Sequence, residues 1–365
     1  MADVQPFRAV RYTGAAGSLA DLVAPPYDVV DDDERDRLFM RSPYNVLHLT
    51  LPDSVEGAGR LYADWLSTGI LALDAESSAW LLVEEFVGPD GIARERRGVI
   101  ASVAAEAYEL GRVLPHERTH AAIREERMSL LRATHVQPEP VFLLHERPLE
   151  LQMPERSPDV AVDGSRLWRI EVDQAVFADA ELLVADGHHR YESAVEVGAE
   201  LGTPDARIMA LLVSSADPGL RVFPTHRVFS GRPDLAAGGE GEPVGSVEEA
   251  LARLARETYE RSAVVAYRAG RVAELLHGGE GELDVELVDR HGLDGIGYTS
   301  RADEAVSAVD RGAADVAFLL REPRVEAVFA AARSGERMPQ KSTFFFPKPL
   351  SGLLFHPVRF GSVGP

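Results

Sequence analysis

The 365-residue chain is 45% hydrophobic, enough for more than one packed core, and it has no cysteine, which excludes disulfides, thiolate nucleophiles, zinc–thiolate centres and iron–sulfur clusters. Its 59 acidic against 38 basic side chains give a formal net charge of −21 with no long basic run, so nucleic acid is not an expected partner. No apolar run reaches the roughly 18 residues of a membrane span and MADVQPFRAVRYTG lacks a signal-peptide pattern, so the expected setting is the cytoplasm, without a membrane partner.

In chain order, residues 7–13 (FRAVRYT) predict an opening strand, and Pro25 and Pro26 an extended segment leading to Tyr27 and Asp28. DDDERDRLFM predicts a helix start, the alternation across 43–52 (PYNVLHLTLP) a strand, and 55–72 a helix. Strands at about 79–87 and 96–107, separated by an Asp-Gly hairpin signal, complete a first α/β region. Pro115 then edges an extended segment that introduces His116 and Glu117, followed by a helix carrying Arg127, Leu130 and Leu131 and a compact strand, EPVFLL. A surface excursion runs to about 166, and strands follow at IEVD (170–173) and RIMALLVS (207–214). RVFPTHRVF (221–229) puts Thr225, His226 and Arg227 directly after a proline, and 230–246 reads as a loose linker. The last third alternates helices and strands and ends in MPQKSTFFFPKPLSGLLFHPV, where Lys341, Ser342, Thr343 and Lys348 sit beside an aromatic run. The expected class is α/β of mixed α+β character: an N-terminal region 1–108, a central core 109–230, and a C-terminal region 231–365 whose last strand segment returns to the core.

Chemistry is concentrated in ELLVADGHHRYESAVEVGAELG, residues 181–202. The apolar run 182–185 has the length of a strand covered on both faces, and it stops at Asp186. Tyr191, Ala194, Val197 and Leu201 then recur on one face of a helix whose other face carries Glu192, Glu196 and Glu200. The turn 186–190 therefore sits at a helix N-terminus, where unpaired N–H groups and a partial positive charge favour anions, phosphate above all. Gly187 permits close backbone approach, Arg190 forks onto phosphate or carboxylate oxygens, and His188 and His189 donate to an anion or shuttle protons. The bland alternative makes Asp186 an N-cap, Arg190 a local ion pair and the histidines surface residues. HERTH (116–120) satisfies H-E-x-x-H, the zinc hydrolase pattern, but Pro115 puts it at or before the first turn of a helix, which makes zinc a minor alternative. Lys341-Ser342-Thr343 lacks the preceding glycines of a P-loop.

In order, Leu114-Pro115-His116-Glu117, then Arg127 with Leu130 and Leu131, then Pro140-Val141, then Asp186 to Arg190 with Ala194 resemble the ParB/sulfiredoxin-like superfamily and its free L-serine kinase branch, over about 110–205. APPYDVV, PYNV, PHERT, ADGHHRYE, PTHR and KSTFFFPK also resemble, over nearly the full length, a large uncharacterised prokaryotic family. The kinase resemblance implies a ParB/sulfiredoxin-like catalytic core, ATP or ADP as phosphate donor and Mg²⁺. It assigns Glu117 as general base on a serine hydroxyl, and gives Asp186, His188, His189 and Arg190 to the transferred phosphate and its metal, with Asp186 as the Mg²⁺ ligand. His116, Gly187, Thr225, His226, Arg227, Lys341, Ser342, Thr343 and Lys348 are further candidates for phosphate or nucleotide contact, provided the later segments fold back over the turn. The expected activity is a phosphotransferase on a small hydroxylated metabolite, serine or phosphoserine favoured. The alternatives are a phosphatase or nucleotide hydrolase using the same site, a nucleotide-sensing ParB-like module, and the zinc hydrolase. Two departures bear on the substrate: about 45 residues separate Pro140-Val141 from Asp186, and the first 110 residues have no counterpart in the simple kinases. The geometric expectation is that Glu117 and Asp186, 69 positions apart, face one pocket with His188, His189 and Arg190.

Overall fold

In the strand Leu182–Asp186, Leu182 and Val184 pack with Leu143, Ala210 and Leu212 on one side, and Leu183 and Ala185 pack with Phe142, Leu144, Leu211 and Val213 on the other. Both faces are covered, which is why this strand is encoded by a continuous apolar run rather than by alternation. It belongs to a nine-stranded sheet in a computed structural model that describes residues 2–358 apart from 179, 203–205 and 240. From one edge the order is Val113–Leu114, Leu182–Asp186, Val141–His145, Arg207–Ser214, Ala93–Ala104, Ala79–Val87, Ser165–Ile170 and Val160–Val162, with Val4–Gln5 paired to Ala93–Ala104. The first two strands run parallel, as do Val141–His145 and Arg207–Ser214.

One face of this sheet is covered by two packed helices, Ala121–Thr134 and His188–Glu200, which contribute Met128, Leu131, Tyr191, Ala194 and Val197. The other face is covered from far along the chain, by Val328, Phe329 and Ala332 of the helix Val325–Ser334 and by Met338, Phe345, Leu353 and Leu354. Burying a side chain such as Phe345 stabilises this return by about 2 kcal/mol. A second sheet of six antiparallel strands runs Glu242–Val244, Ala273–Glu280, Arg261–Tyr267, Val316–Leu319, His226–Phe229 and Ile296–Thr299. The protein is thus of the mixed α/β class.

Several local expectations are corrected. Residues 43–52 form no strand: the fully buried Asn45 side chain donates to Asp21 O at 2.8 Å and accepts from Leu47 N at 3.0 Å, which winds the chain into the short helix Leu47–Thr50. The expected strand 170–173 ends at Ile170, because the Asp173 side chain caps a 3-10 turn through Ala175 N. Segment 230–246 is no loose linker, since it holds the helix Pro233–Ala236 and the strand Glu242–Val244. Strand pairing spans residue 108, with Arg207–Ser214 antiparallel to Ala93–Ala104. Near 230, the strand His226–Phe229 already lies in the second sheet, while Phe344–Phe346 returns to pair with Arg221–Phe223. No helix among the described residues is long and apolar enough to cross a membrane.

Candidate active site

The register of Leu182–Asp186 against Val141–His145 shifts between Val184 and Asp186, a bulge that re-aims the Asp186 carboxylate at the strand end. Gly187 follows at φ +90°, a backbone region costly for residues with a Cβ, and begins the helix His188–Glu200 as an N-cap without a side-chain cap bond. Conformation favours glycine, and an added Cβ would also lie 2.9 Å from Arg190 Nη2, so the guanidinium bonded to Asp186 and Pro140 O would have to shift. The first N–H groups of this helix are therefore free of a competing cap.

The turn forms one wall of a cleft of about 430 Å³. Other walls come from Tyr27 and Asp28, from Glu117, Arg118 and His120, from Tyr298 to Ser300 at the edge of the second sheet, and from residues of the segment 340–348. Asp186 Oδ2 accepts from Arg190 Nη2 at 2.7 Å, and Asp186 Oδ1 lies 2.7 Å from Lys348 Nζ, which also bonds Asp28. Arg190 Nη1 donates to Pro140 O at 2.7 Å, with Glu139 Oε2 at 3.9 Å. Acid and base alternate along the line Glu139, Arg190, Asp186, Lys348, Asp28. Burial opposes ionisation of Asp186, but Lys348 and Arg190 outweigh it and hold the carboxyl well below the ordinary range. Lys348 is likewise opposed by burial, yet the carboxylates of Asp186 and Asp28 raise it above an ordinary lysine.

Glu117 moves the other way. Its carboxyl is raised, with burial as the main cause, against the pull of the Lys341 charge and backbone N–H. His116 is fully buried: Nδ1 lies 2.7 Å from Val184 O and Nε2 2.8 Å from Thr343 Oγ1. A carbonyl only accepts, so Nδ1 carries the proton and Nε2 accepts from the Thr343 hydroxyl. Burial lowers His116 to about 4, which keeps it in this neutral tautomer at pH 7. His188 is also buried and pushed well below the ordinary imidazole value by desolvation. Its ring stands edge-on to His116 at 4.7 Å, and its Nε2 has no hydrogen-bond partner. His189 Nε2 accepts from His120 N at 2.9 Å and is lowered to about 4, mainly by burial.

The cleft thus brings together Glu117, Asp186, Gly187, His188, His189, Arg190, Thr225, Lys341, Thr343 and Lys348, with His116 directly behind Thr343. Other sequence candidates point elsewhere. His226 accepts from Leu320 N in the second sheet; Arg227, fully buried, donates to Thr225 O and Gln340 O; Ser342 is buried against Pro339 O. These three hold the walls and do not line the cleft. Arg190 lines it, but its guanidinium is spent on protein partners rather than held out as an open fork. HERTH lies ahead of the helix Ala121–Thr134, with His120 as its N-cap and both His116 nitrogens engaged, so the two histidines do not converge as zinc ligands on a helix face.

Sequence reading missed Asp28, Glu139 and Tyr298 as members of this site. It also missed a signal available in the composition: of 38 basic side chains only two are lysine, Lys341 and Lys348, and both line the cleft. Lys341 holds φ +56°, a left-handed conformation uncommon outside glycine. For a metal, Lys348 Nζ already marks a cation position between Asp28 and Asp186 oxygens. That donor set fits the small protein share of a Mg²⁺ that keeps water and phosphate ligands. Among the described residues, no three His, Asp or Glu side chains form a self-sufficient cage.

A family model described as "Protein of unknown function (DUF1015)" matches residues 4–288. The chain belongs to the DUF1015 family. No curated protein matches this DUF1015 chain. Solved structures similar to it include a conserved hypothetical protein from Pyrococcus furiosus, at 17% identity over 67% of this chain and 90% of that one, with a TM-score of 0.38. A free serine kinase in complex with AMP is similar at 14% identity over 67% and 86%, TM-score 0.41. SbnI with C-terminal truncation from Staphylococcus aureus is similar at 14% identity over 69% and 85%, TM-score 0.41.

Proposed function

We propose that this chain is a Mg²⁺-dependent phosphotransferase that uses ATP or ADP and acts on the hydroxyl of a small metabolite, with serine and phosphoserine the first substrates to test. The observation that carries the reading is the shared cleft: a raised carboxyl, Glu117, faces the same space as an uncapped helix N-terminus and the two lysines of the chain. Phosphoryl transfer asks for positioned positive charge around the phosphate and a base beside the attacking hydroxyl. In this reading Lys341, Lys348 and the N–H groups after Gly187 hold phosphate oxygens. Glu117 accepts the proton of the substrate hydroxyl, a task suited to a carboxylate shifted toward neutrality. Arg190 fixes the orientation of Asp186 from behind. Asp186 with Asp28 would hold Mg²⁺, which when bound supplies charge neutralisation to the phosphates. The kinase-like order of Pro115-His116-Glu117 and Asp186 to Arg190 agrees with these roles, and the flanking walls, absent from that simple pattern, are where substrate choice is made.

The test uses the intact protein with Mg²⁺, ATP or ADP and an amino-acid panel, followed by phosphorus NMR, with free phosphoserine in parallel. Because Lys341 and Lys348 are the only side-chain amines, an amine-acylating reagent followed by peptide mapping reports cleft occupancy directly. Nucleotide with Mg²⁺ is expected to protect both lysines. Absence of transfer, of hydrolysis and of protection together removes the reading.

A further inference from the structure

Thr343 is the one hydroxyl of the cleft bonded to an imidazole. Its Oγ1 lies 2.8 Å from His116 Nε2, and the opposite nitrogen of that ring is anchored to Val184 O at 2.7 Å. Hydroxyl, base and orienting acceptor in a row is the arrangement that activates an oxygen nucleophile. Here a backbone carbonyl of the strand Leu182–Asp186 takes the orienting place. The Thr343 hydroxyl donates to His116, so its oxygen lone pairs are not used in that bond. The backbone around it is firmly held: Phe344–Phe346 pairs with Arg221–Phe223, and Phe345 is buried in the core. Lys341 stands two residues before it, and the His116 ring lies 4.7 Å from that of His188, the first residue of the helix whose N-terminus faces the same space. A threonine serving only to pin the C-terminal segment to His116 would not need to line the cleft. Thr343 does.

We infer that Thr343 is a covalent phosphoryl acceptor, phosphorylated by the nucleotide before the group passes to the final acceptor. This rests on the phosphotransferase reading above and deepens it. In the first half-reaction the bond from the terminal phosphorus of the nucleotide to its bridging oxygen breaks, and a bond from phosphorus to Thr343 Oγ1 forms. The Thr343 proton goes to His116 Nε2, and the shortened nucleotide leaves with the electron pair. The resulting imidazolium is compensated by the phosphothreonine beside it. In the second half, the substrate hydroxyl or water attacks the same phosphorus, Glu117 takes that proton, and His116 returns its own to Thr343. Lys341 and Lys348 supply charge to the phosphoryl group in both halves.

The experiment mixes the intact protein with Mg²⁺ and nucleotide labelled in its terminal phosphate, without acceptor, and quenches at short times. Mass spectrometry is expected to find one phosphoryl group on Thr343, stable to acid and released when serine is added before the quench. Thr343→Ser should still label, Thr343→Val should not, and His116→Asn should slow labelling by roughly 100-fold or more. Thr343→Val should keep nucleotide protection of the lysines, which separates lost chemistry from lost folding. Acceptor turnover without label on the wild type, or turnover by Thr343→Val at the wild-type rate, overturns the covalent step and leaves the phosphotransferase reading standing. No label, no turnover and no lysine protection overturns both.

Discussion

Lys348→Met tests the charge line that builds the site without assuming what the site binds. The Lys348 and Asp186 side chains are 12% and 14% exposed, and the ammonium touches two carboxylates. Removing one partner of a well-buried pair costs about 3–5 kcal/mol because a charge is left uncompensated. Two features reduce that figure: Arg190 still faces Asp186, and Asp28 is 30% exposed and can turn to water. A loss of about 2–3 kcal/mol at pH 7 is expected, read from urea unfolding curves followed by tryptophan fluorescence. Asp186→Asn in the Lys348→Met background should show coupling of about 1–3 kcal/mol relative to the two single variants. The pH dependence has a definite sign. Asp186 is depressed in the folded state, so its share is present above its unfolded value of about 3.9 and is lost as pH falls through the folded value. Lys348 is raised, so its share is present below about 10.4 and is lost as pH rises through its folded value. The gap between wild type and Lys348→Met should therefore stay flat from about pH 5 to 9 and close on either side. A single-variant loss under about 0.5 kcal/mol, or strictly additive variants, would refute the charge line as the organiser of the site.

Gly187→Ala, which places a Cβ at φ +90° and against Arg190, should lower stability by about 1–2 kcal/mol and weaken nucleotide protection of the lysines, both measurable on one preparation. Glu117→Gln should cut phosphoryl transfer by roughly 10²–10⁴-fold while the melting temperature at pH 7 holds or rises, since burial penalises the charged form. The acid limb of the wild-type rate profile should lie above an ordinary glutamate titration and vanish in that variant. His116, lowered to about 4 from 6.5, contributes about 3 kcal/mol of stability above pH 6.5 that is lost as pH falls from 6.5 through 4. Imidazole nitrogen NMR should show it still neutral at pH 5.5, and a protonated ring at that pH would contradict the buried contacts.

What was legible in the sequence was local. The strand Arg207–Ser214 and the turn at 186–190 declare themselves through apolar runs, a glycine and a helix face, all set by near neighbours. What was not legible depended on partners far away. The strand expected at 43–52 fails because the Asn45 amide is claimed by Asp21 and Val23, over 20 residues back. Arg190 reads from sequence as an open phosphate fork, but its partners are Asp186 and Pro140 O. Arg227 and His226 follow a proline in a plausible ligand loop, yet they are buried as supports because the second sheet begins there. Asp28 carries no local signal because its role exists only once Lys348, 320 positions later, returns to it.

The choice of cation at each position separates scaffold from site. Arg127, Arg227 and Arg321 are buried, Arg190 is partly buried, and all four donate to backbone carbonyls or carboxylates, work that suits a planar fork of five N–H donors. A guanidinium in such a place is held by several bonds at once and is slow to give any of them up. Lys348 is a point charge between two carboxylates, and Lys341 is an exposed ammonium with no ion pair among the described residues. An ammonium can pass from carboxylate to phosphate by a small rotation of a flexible stem, without unzipping a bidentate contact. In a chain that uses arginine at every other basic position, lysine at these two makes sense if the charge has to move when an anion arrives. Lys348→Arg should therefore behave unlike a conservative change: stability close to wild type, because both carboxylates keep a cation, but lower phosphate affinity, because that cation no longer lets go.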